Sequence, residues 1–241
     1  MSILLLFAIT ITPAQELFQR ANENYEQARY EEAIRLYDSV LAFVKSAEVY
    51  FNRGNSYFKS GRLGKAMADY LRAWRLNPKD NDINYNLNFV RQFRPDKNPN
   101  PSSPLSRLFF NLFTPFNPFI TRIITAFLFF LFALSLALYF LTLRRSLLFI
   151  ALGLGFVFLY CLGAVIYWRG ATDPNIAVVV VPEAILRSGP GEEYKEIIAV
   201  HDGLEVKILE SRAGFILVQI PGGLGGWVEN EAVERVFTSF Y

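Results

Sequence analysis

Residues 123–168 read IITAFLFFLFALSLALYFLTLRRSLLFIALGLGFVFLYCLGAVIYW, and the architecture follows from this stretch. Ile123–Leu143 is a run of 21 residues without a charge, and Ser146–Trp168 is a run of 23. As helices rising about 1.5 Å per residue, each is long enough to cross a hydrocarbon core of roughly 30 Å. The turn between them falls at Arg144, Arg145 and Ser146. So short a turn makes the helices antiparallel, and both flanks of the chain emerge on one side. Neither run holds an Asp, Glu, Lys, Arg or His. That argues for an anchor and against a path for ions or protons. Ala133 and Ala137 in the first run, and Ala151 and Gly155 in the second, have the small-xxx-small spacing that lets helix backbones approach. The expectation is packing of the two helices on each other.

Two signals bear on sidedness. A basic turn favours the cytoplasm, although Arg122 and Arg169 at the outer ends weigh against this by charge count. Ile3–Ile11 is a short apolar run, and Thr12-Pro13-Ala14 then supplies small residues at a cleavage spacing. Residues 1–14 are thus expected to be a signal peptide, with both flanks outside the cytoplasm.

Composition excludes several classes of chemistry. The net charge of +2 gives no reason to expect nucleic acid. One cysteine, Cys161, lies within the second apolar run, and the sole histidine is His201, placed at a strand end before Asp202-Gly203. A zinc site with several His or Cys ligands cannot be assembled from these. No catalytic set, metal or cofactor is expected, and the chain is read as no enzyme. Residues 15–98 carry 14 Lys/Arg against 11 Asp/Glu, and residues 170–241 carry 5 against 11. These opposite balances, +3 and −6, are expected to be solvated surface.

An internal repeat precedes the apolar runs. Asn22, Tyr25, Tyr30, Ala33 and Tyr37 recur 33 residues later as Asn55, Phe58, Leu63, Ala66 and Tyr70. The second copy carries Gly54, Ala66 and Ala73 as small positions, Tyr50, Tyr57 and Tyr70 as large ones, and Pro78 after them. The pattern closely resembles the tetratricopeptide repeat. Ile83 and Asn88 continue the register, so a capping helix is expected. Helices are predicted near 15–28, 30–43, 46–60, 62–76 and 80–93. Arg94–Pro104, with four prolines, reads as a linker, and Leu108–Phe119, with five Phe, as an interfacial aromatic segment. The resemblance implies a concave face that binds peptide segments of other proteins. Asn22, Asn55 and Asn88 would lie along it as an amide ladder, with Arg53 and Lys59 nearby.

Residues 176–236 read as short strands broken by turns: Ala177–Val181, Ala184–Arg187, Ile197–Val200, Val206–Leu209, Phe215–Ile220 and Gly226–Val228. Leu186-Arg187-Ser188-Gly189-Pro190-Gly191, Gly203-Leu204-Glu205-Val206 and Gly226-Trp227-Val228 together resemble a bacterial SH3-like domain. Phe215 stands where that family usually has Trp. Trp227, Phe215 and Arg187 are its candidate surface residues.

The expected organisation is a signal peptide (1–14), a repeat domain (15–93), a linker and aromatic segment (94–119), a membrane hairpin (120–169) and an all-β SH3-like small barrel (172–241). End to end it resembles the BatE family of the bacterial aerotolerance operon. The resemblance implies a scaffold subunit of a membrane complex with von Willebrand factor A-type partners. It places the chain in the inner membrane of a Gram-negative bacterium, with both soluble domains facing the periplasm. Peptidoglycan binding, with the repeat as a spacer, is the alternative.

Overall fold

The structure is a computed structural model that describes residues 13–96, 108, 112 and 116–236. The proposed signal sequence through Thr12 and most of the proline-rich segment lie outside the described residues.

Five helices come first: α1 (Pro13–Glu26), α2 (Tyr30–Phe43), α3 (Ala47–Lys59), α4 (Leu63–Leu76) and α5 (Asn81–Phe93). Short turns make successive helices antiparallel, so α2 and α4 point the same way. Ala21, Ala33, Gly54, Ala66 and Ala73 are buried where helices meet. Gly54 has Tyr70 against it, 2.8 Å from where a Cβ would sit. Asp80 caps α5, its carboxylate accepting from the backbone N–H groups of Asp82 and Ile83.

Two long helices follow, α6 (Pro118–Thr142) and α7 (Arg145–Ala171). Each has a hydropathy of 2.5 over its most apolar window, and only 11% of that window is buried. A core helix of a soluble protein would be mostly covered, whereas these show their apolar surface outward. Both helices are therefore long and apolar enough to cross a membrane. Pro118 sits in the first turn of α6, and the Asn117 side chain caps it, accepting from the Ile120 N–H. Phe119 consequently belongs to the helix and not to the segment before it. The turn is shorter than expected: Leu143 (φ 53°) and Arg144 alone break the helices.

The seam between α6 and α7 has a seven-residue period. Pro118, Thr121, Thr125, Leu128, Phe132, Ser135 and Tyr139 face Leu147, Ala151, Leu154, Phe158, Cys161, Val165 and Trp168, all buried or half-buried. This 3–4 alternation is the spacing of coiled-coil-like packing. Ala151 and Gly155 lie in the seam as expected, with Phe132 3.2 Å from a Cβ built on Gly155. Ala133 and Ala137 are exposed. The expectation for that pair is corrected: the seam follows 128, 132, 135 and 139, which turns residues 133 and 137 outward.

The last element is a seven-stranded antiparallel sheet: β1 (Ile176–Val179), β2 (Glu183–Arg187), β3 (Glu196–His201), β4 (Glu205–Arg212), β5 (Phe215–Gln219), β6 (Gly225–Glu229) and β7 (Val233–Arg235). Its order is β3-β2-β6-β5-β4-β1-β7, consistent with an SH3-like small barrel. Six strands match the predicted ones. The seventh, of three residues after a 3-10 turn, closes against β1.

Repeat and sheet are docked. Val178 and Val236 join a cluster with Met67, Ala68, Leu71, Leu87 and Val90 of the helices. Ala177 and Val179 face the core of the sheet, so β1 is buried on both faces. The opposite charges of the two modules meet directly, which corrects the expectation of solvated surface. Arg91 donates to both oxygens of Glu205 at 2.9 and 3.0 Å, and Arg94 reaches the same carboxylate at 3.3 Å. Arg72 pairs with Glu234 at 2.7 Å and donates to the carbonyls of Arg235 and Val236. Arg94 and Asp96, read as linker, are thus part of this interface. Asp96 accepts from the His201 N–H at 2.7 Å and lies 3.1 Å from its Nδ1.

Two contacts fix the direction of α4. At its start, the Gly64 N–H donates to Asp202 at 2.9 Å, and a Cβ at Gly64 would lie 2.0 Å from the Val179 carbonyl oxygen. The Arg62 side chain does not cap the helix, and Asp202 of the β3–β4 turn caps it instead. Near its end, Trp74 packs on Trp168 with ring centroids 5.2 Å apart. Arg75 also feels Arg122, which adds to burial in pulling its pKa down. The C-terminal end of α4 therefore abuts the open end of the hairpin.

Candidate functional site

With the sheet on α4 and α5, the open groove of the repeat lies along α1 and α3. A cleft of about 250 Å³ there is lined by Asn22, Tyr25, Glu26, Tyr37, Asn52 and Asn55. Two equivalent constellations build it. Tyr37 donates its hydroxyl to Asn22 Oδ1 at 2.6 Å, and Asn52 Nδ2 donates to the same oxygen at 3.2 Å. One repeat on, Tyr70 donates to Asn55 Oδ1 at 2.7 Å and Asn86 Nδ2 at 2.9 Å. Burial pushes the Tyr37 and Tyr70 phenols upward, so both stay protonated donors.

Each asparagine oxygen is thus held by two donors, which fixes the amide orientation. The Nδ2 groups of Asn22 and Asn55 make no hydrogen bond among the described residues and stand at the groove wall as pre-oriented donors. Asn88 is exposed, and no equivalent tyrosine is described for it. The sequence pattern marked Asn22 and Asn55 but missed Tyr37, Tyr70, Asn52 and Asn86 as their holders. The 15-residue separation shared by both Asn–Tyr pairs was the available signal.

Arg53 is placed differently from Lys59. Its guanidinium clasps the fully buried Asp69 at 2.6 and 2.7 Å, also meets Asp38, and lies 5.6 Å from the Tyr50 ring centroid. Burial works against its charge, but Asp69 outweighs this and the pKa moves up. Arg72 donates to Asp69 at 2.8 Å and continues the ionic chain to Glu234. Arg53 therefore binds within the repeat and supports Asp69, while Arg72 carries the ionic chain to the sheet and Lys59 is exposed at the end of α3.

On the sheet, a cleft of about 320 Å³ is lined by Val181, Ile185, Arg187, Phe215 and Val228, with Glu183, Glu229 and Glu231 at its edge. Arg187 is paired with Glu196 at 3.2 Å and stands opposite Trp227 across the β2–β6 register. Phe215 and Arg187 come together in this cleft, and half-buried Trp227 lies outside it. Among the described residues no three His, Cys, Asp or Glu side chains converge to hold a metal.

Comparison with known families agrees with both modules. Residues 54–91 match the TPR repeat family, and residues 182–234 match the bacterial SH3 domain family. No curated protein matches the chain. The chain therefore combines a tetratricopeptide repeat and a bacterial SH3 domain with two helices suited to a membrane. Such modules serve in protein–protein or cell-wall binding.

Proposed function

We propose that this chain is a non-enzymatic, membrane-anchored scaffold that holds an extended peptide segment of a partner protein in the α1–α3 groove. The observation that supports it is the paired amide donors of Asn22 and Asn55, each locked by a tyrosine and a second asparagine. Spaced donors of fixed orientation suit the carbonyls of an extended backbone. In the finer reading, the hairpin crosses the inner membrane, both modules face the periplasm, and the partners belong to an aerotolerance-type complex with von Willebrand factor A-type proteins.

The test is co-purification from membranes with the full chain and with Asn55→Asp. This change keeps an acceptor for Tyr70 and removes the free N–H donors. Loss of the partner at unchanged thermal stability is expected. Full recovery of the partner would remove the groove from the mechanism. Peptidoglycan binding by the Phe215 cleft is the second reading, favoured by the bacterial SH3 match. Sedimentation of the full chain with purified cell wall would support it.

A further inference from the structure

The C-terminal end of α2 carries two large apolar residues in the open: Phe43 is 68% exposed and Val44 46% exposed, with exposed Lys45 next. They belong to no core cluster and to neither cleft. Their place in the fold says what meets them. By the 33-residue repeat, Phe43 corresponds to Leu76 at the end of α4. The α4 helix runs from Gly64, held by the sheet, to Trp74, held by Trp168 of α7. Ten residues of helix cover about 15 Å, so the end of α4 points toward the outer end of the hairpin. The α2 helix packs on α3, which packs on α4, and the two antiparallel turns point the end of α2 the same way as that of α4.

Trp168 and Arg169 end the apolar length of α7, and Phe119, Ile120 and Arg122 begin that of α6. Aromatic and basic residues at the ends of apolar helices mark the headgroup level of a bilayer. Leu76 lies two residues beyond Trp74, and Phe43 is its counterpart one repeat away.

We propose that the α2–α3 turn, Phe43-Val44-Lys45, is seated in the headgroup region of the same bilayer that the hairpin crosses. Phe43 and Val44 enter the interface with their exposed apolar side chains. The repeat then touches the membrane at two separated places, the hairpin and this turn, and its groove is held at a set angle to the surface. This inference rests on reading the hairpin as a membrane crossing.

The experiment uses the full chain with Cys161→Ser in phosphatidylglycerol-containing vesicles. An environment-sensitive fluorophore is attached at Val44→Cys, at Ala213→Cys in the β4–β5 turn, or at Leu148→Cys in α7. Nitroxide lipids labelled at the headgroup or in the acyl chain serve as quenchers. Quenching at residue 44 by headgroup nitroxide, several-fold stronger than at residue 213, is expected, and adding Phe43→Asp should abolish it. Equal, weak quenching at 44 and 213, with strong acyl-chain quenching at 148, would overturn the inference and leave the hairpin intact. Absence of quenching at 148 would overturn the hairpin reading and the inference with it.

Discussion

Gly64→Ala is the most informative single change at the interface between repeat and sheet. In an isolated helix, replacing glycine by alanine stabilises by about 0.5–1 kcal/mol. In the docked protein the new Cβ would sit 2.0 Å from the Val179 carbonyl oxygen and 2.4 Å from Asp202 Oδ1. Backbone carbonyls do not give way as flexible side chains do, so β1 must retreat by roughly 1.5 Å to restore van der Waals contact. Overpacking of this kind costs about 1–3 kcal/mol. The retreat also strains the Gly64–Asp202 hydrogen bond, whose acceptor is a carboxylate, a class worth about 1.5–3 kcal/mol. Less the helix gain, the net loss is about 3 kcal/mol, or on the order of 100-fold in the docked-to-undocked ratio. For a soluble unit of this size that lowers the melting temperature by roughly 6–12 °C. The assay is thermal unfolding of the detergent-solubilised full chain. A rise of one or two degrees would show instead that α4 is free of β1.

Other outcomes follow from the same geometry. Glu205→Gln removes the charge facing Arg91 and the buried Arg94, and should destabilise by about 3 kcal/mol in chemical denaturation. Burial pushes the Glu205 carboxyl up, but the two arginines outweigh it and its pKa lies below the ordinary value. Its contribution is therefore present above the unfolded-state pKa of about 4.3 and lost as pH falls through the lower folded value. A stability–pH profile should show a loss below about pH 4 that Glu205→Gln lacks. Tyr70→Phe should cost about 1 kcal/mol and weaken partner capture, because the Asn55 amide is then held by Asn86 alone. Gly155→Leu should destabilise the hairpin by about 1–3 kcal/mol against Phe132, whereas Ala137→Leu should be silent; resistance of the hairpin to denaturing detergent measures both.

Much of this fold is legible in one dimension because its signals are local. The 33-residue spacing places five helices within a few residues, and uncharged length marks α6 and α7. The glycine turns mark six strands. Strand β7 escapes, since three residues are too few to show alternation. Docking is not periodic and left fainter traces. Residues 177–181 are an unbroken apolar run, the sign of a strand buried on both faces. Gly64 stands where the first repeat has Glu31, which is paired with Arg62 on the surface. A departure from the repeat at one position thus marks where another module presses. The site was half legible: Asn22 and Asn55 show in the pattern, but their orientation depends on hydroxyls 15 residues away.

Repeat and SH3-like domain form one unit above the hairpin, with the amide-lined groove left open. Distance distributions between spin labels at Arg35→Cys on α2 and Arg212→Cys on β4, in a Cys161→Ser chain reconstituted in lipid, test it most directly. Both positions are exposed and away from the interface. One narrow distribution is predicted, broadening on Gly64→Ala. A broad distribution in the unmodified interface would contradict the account.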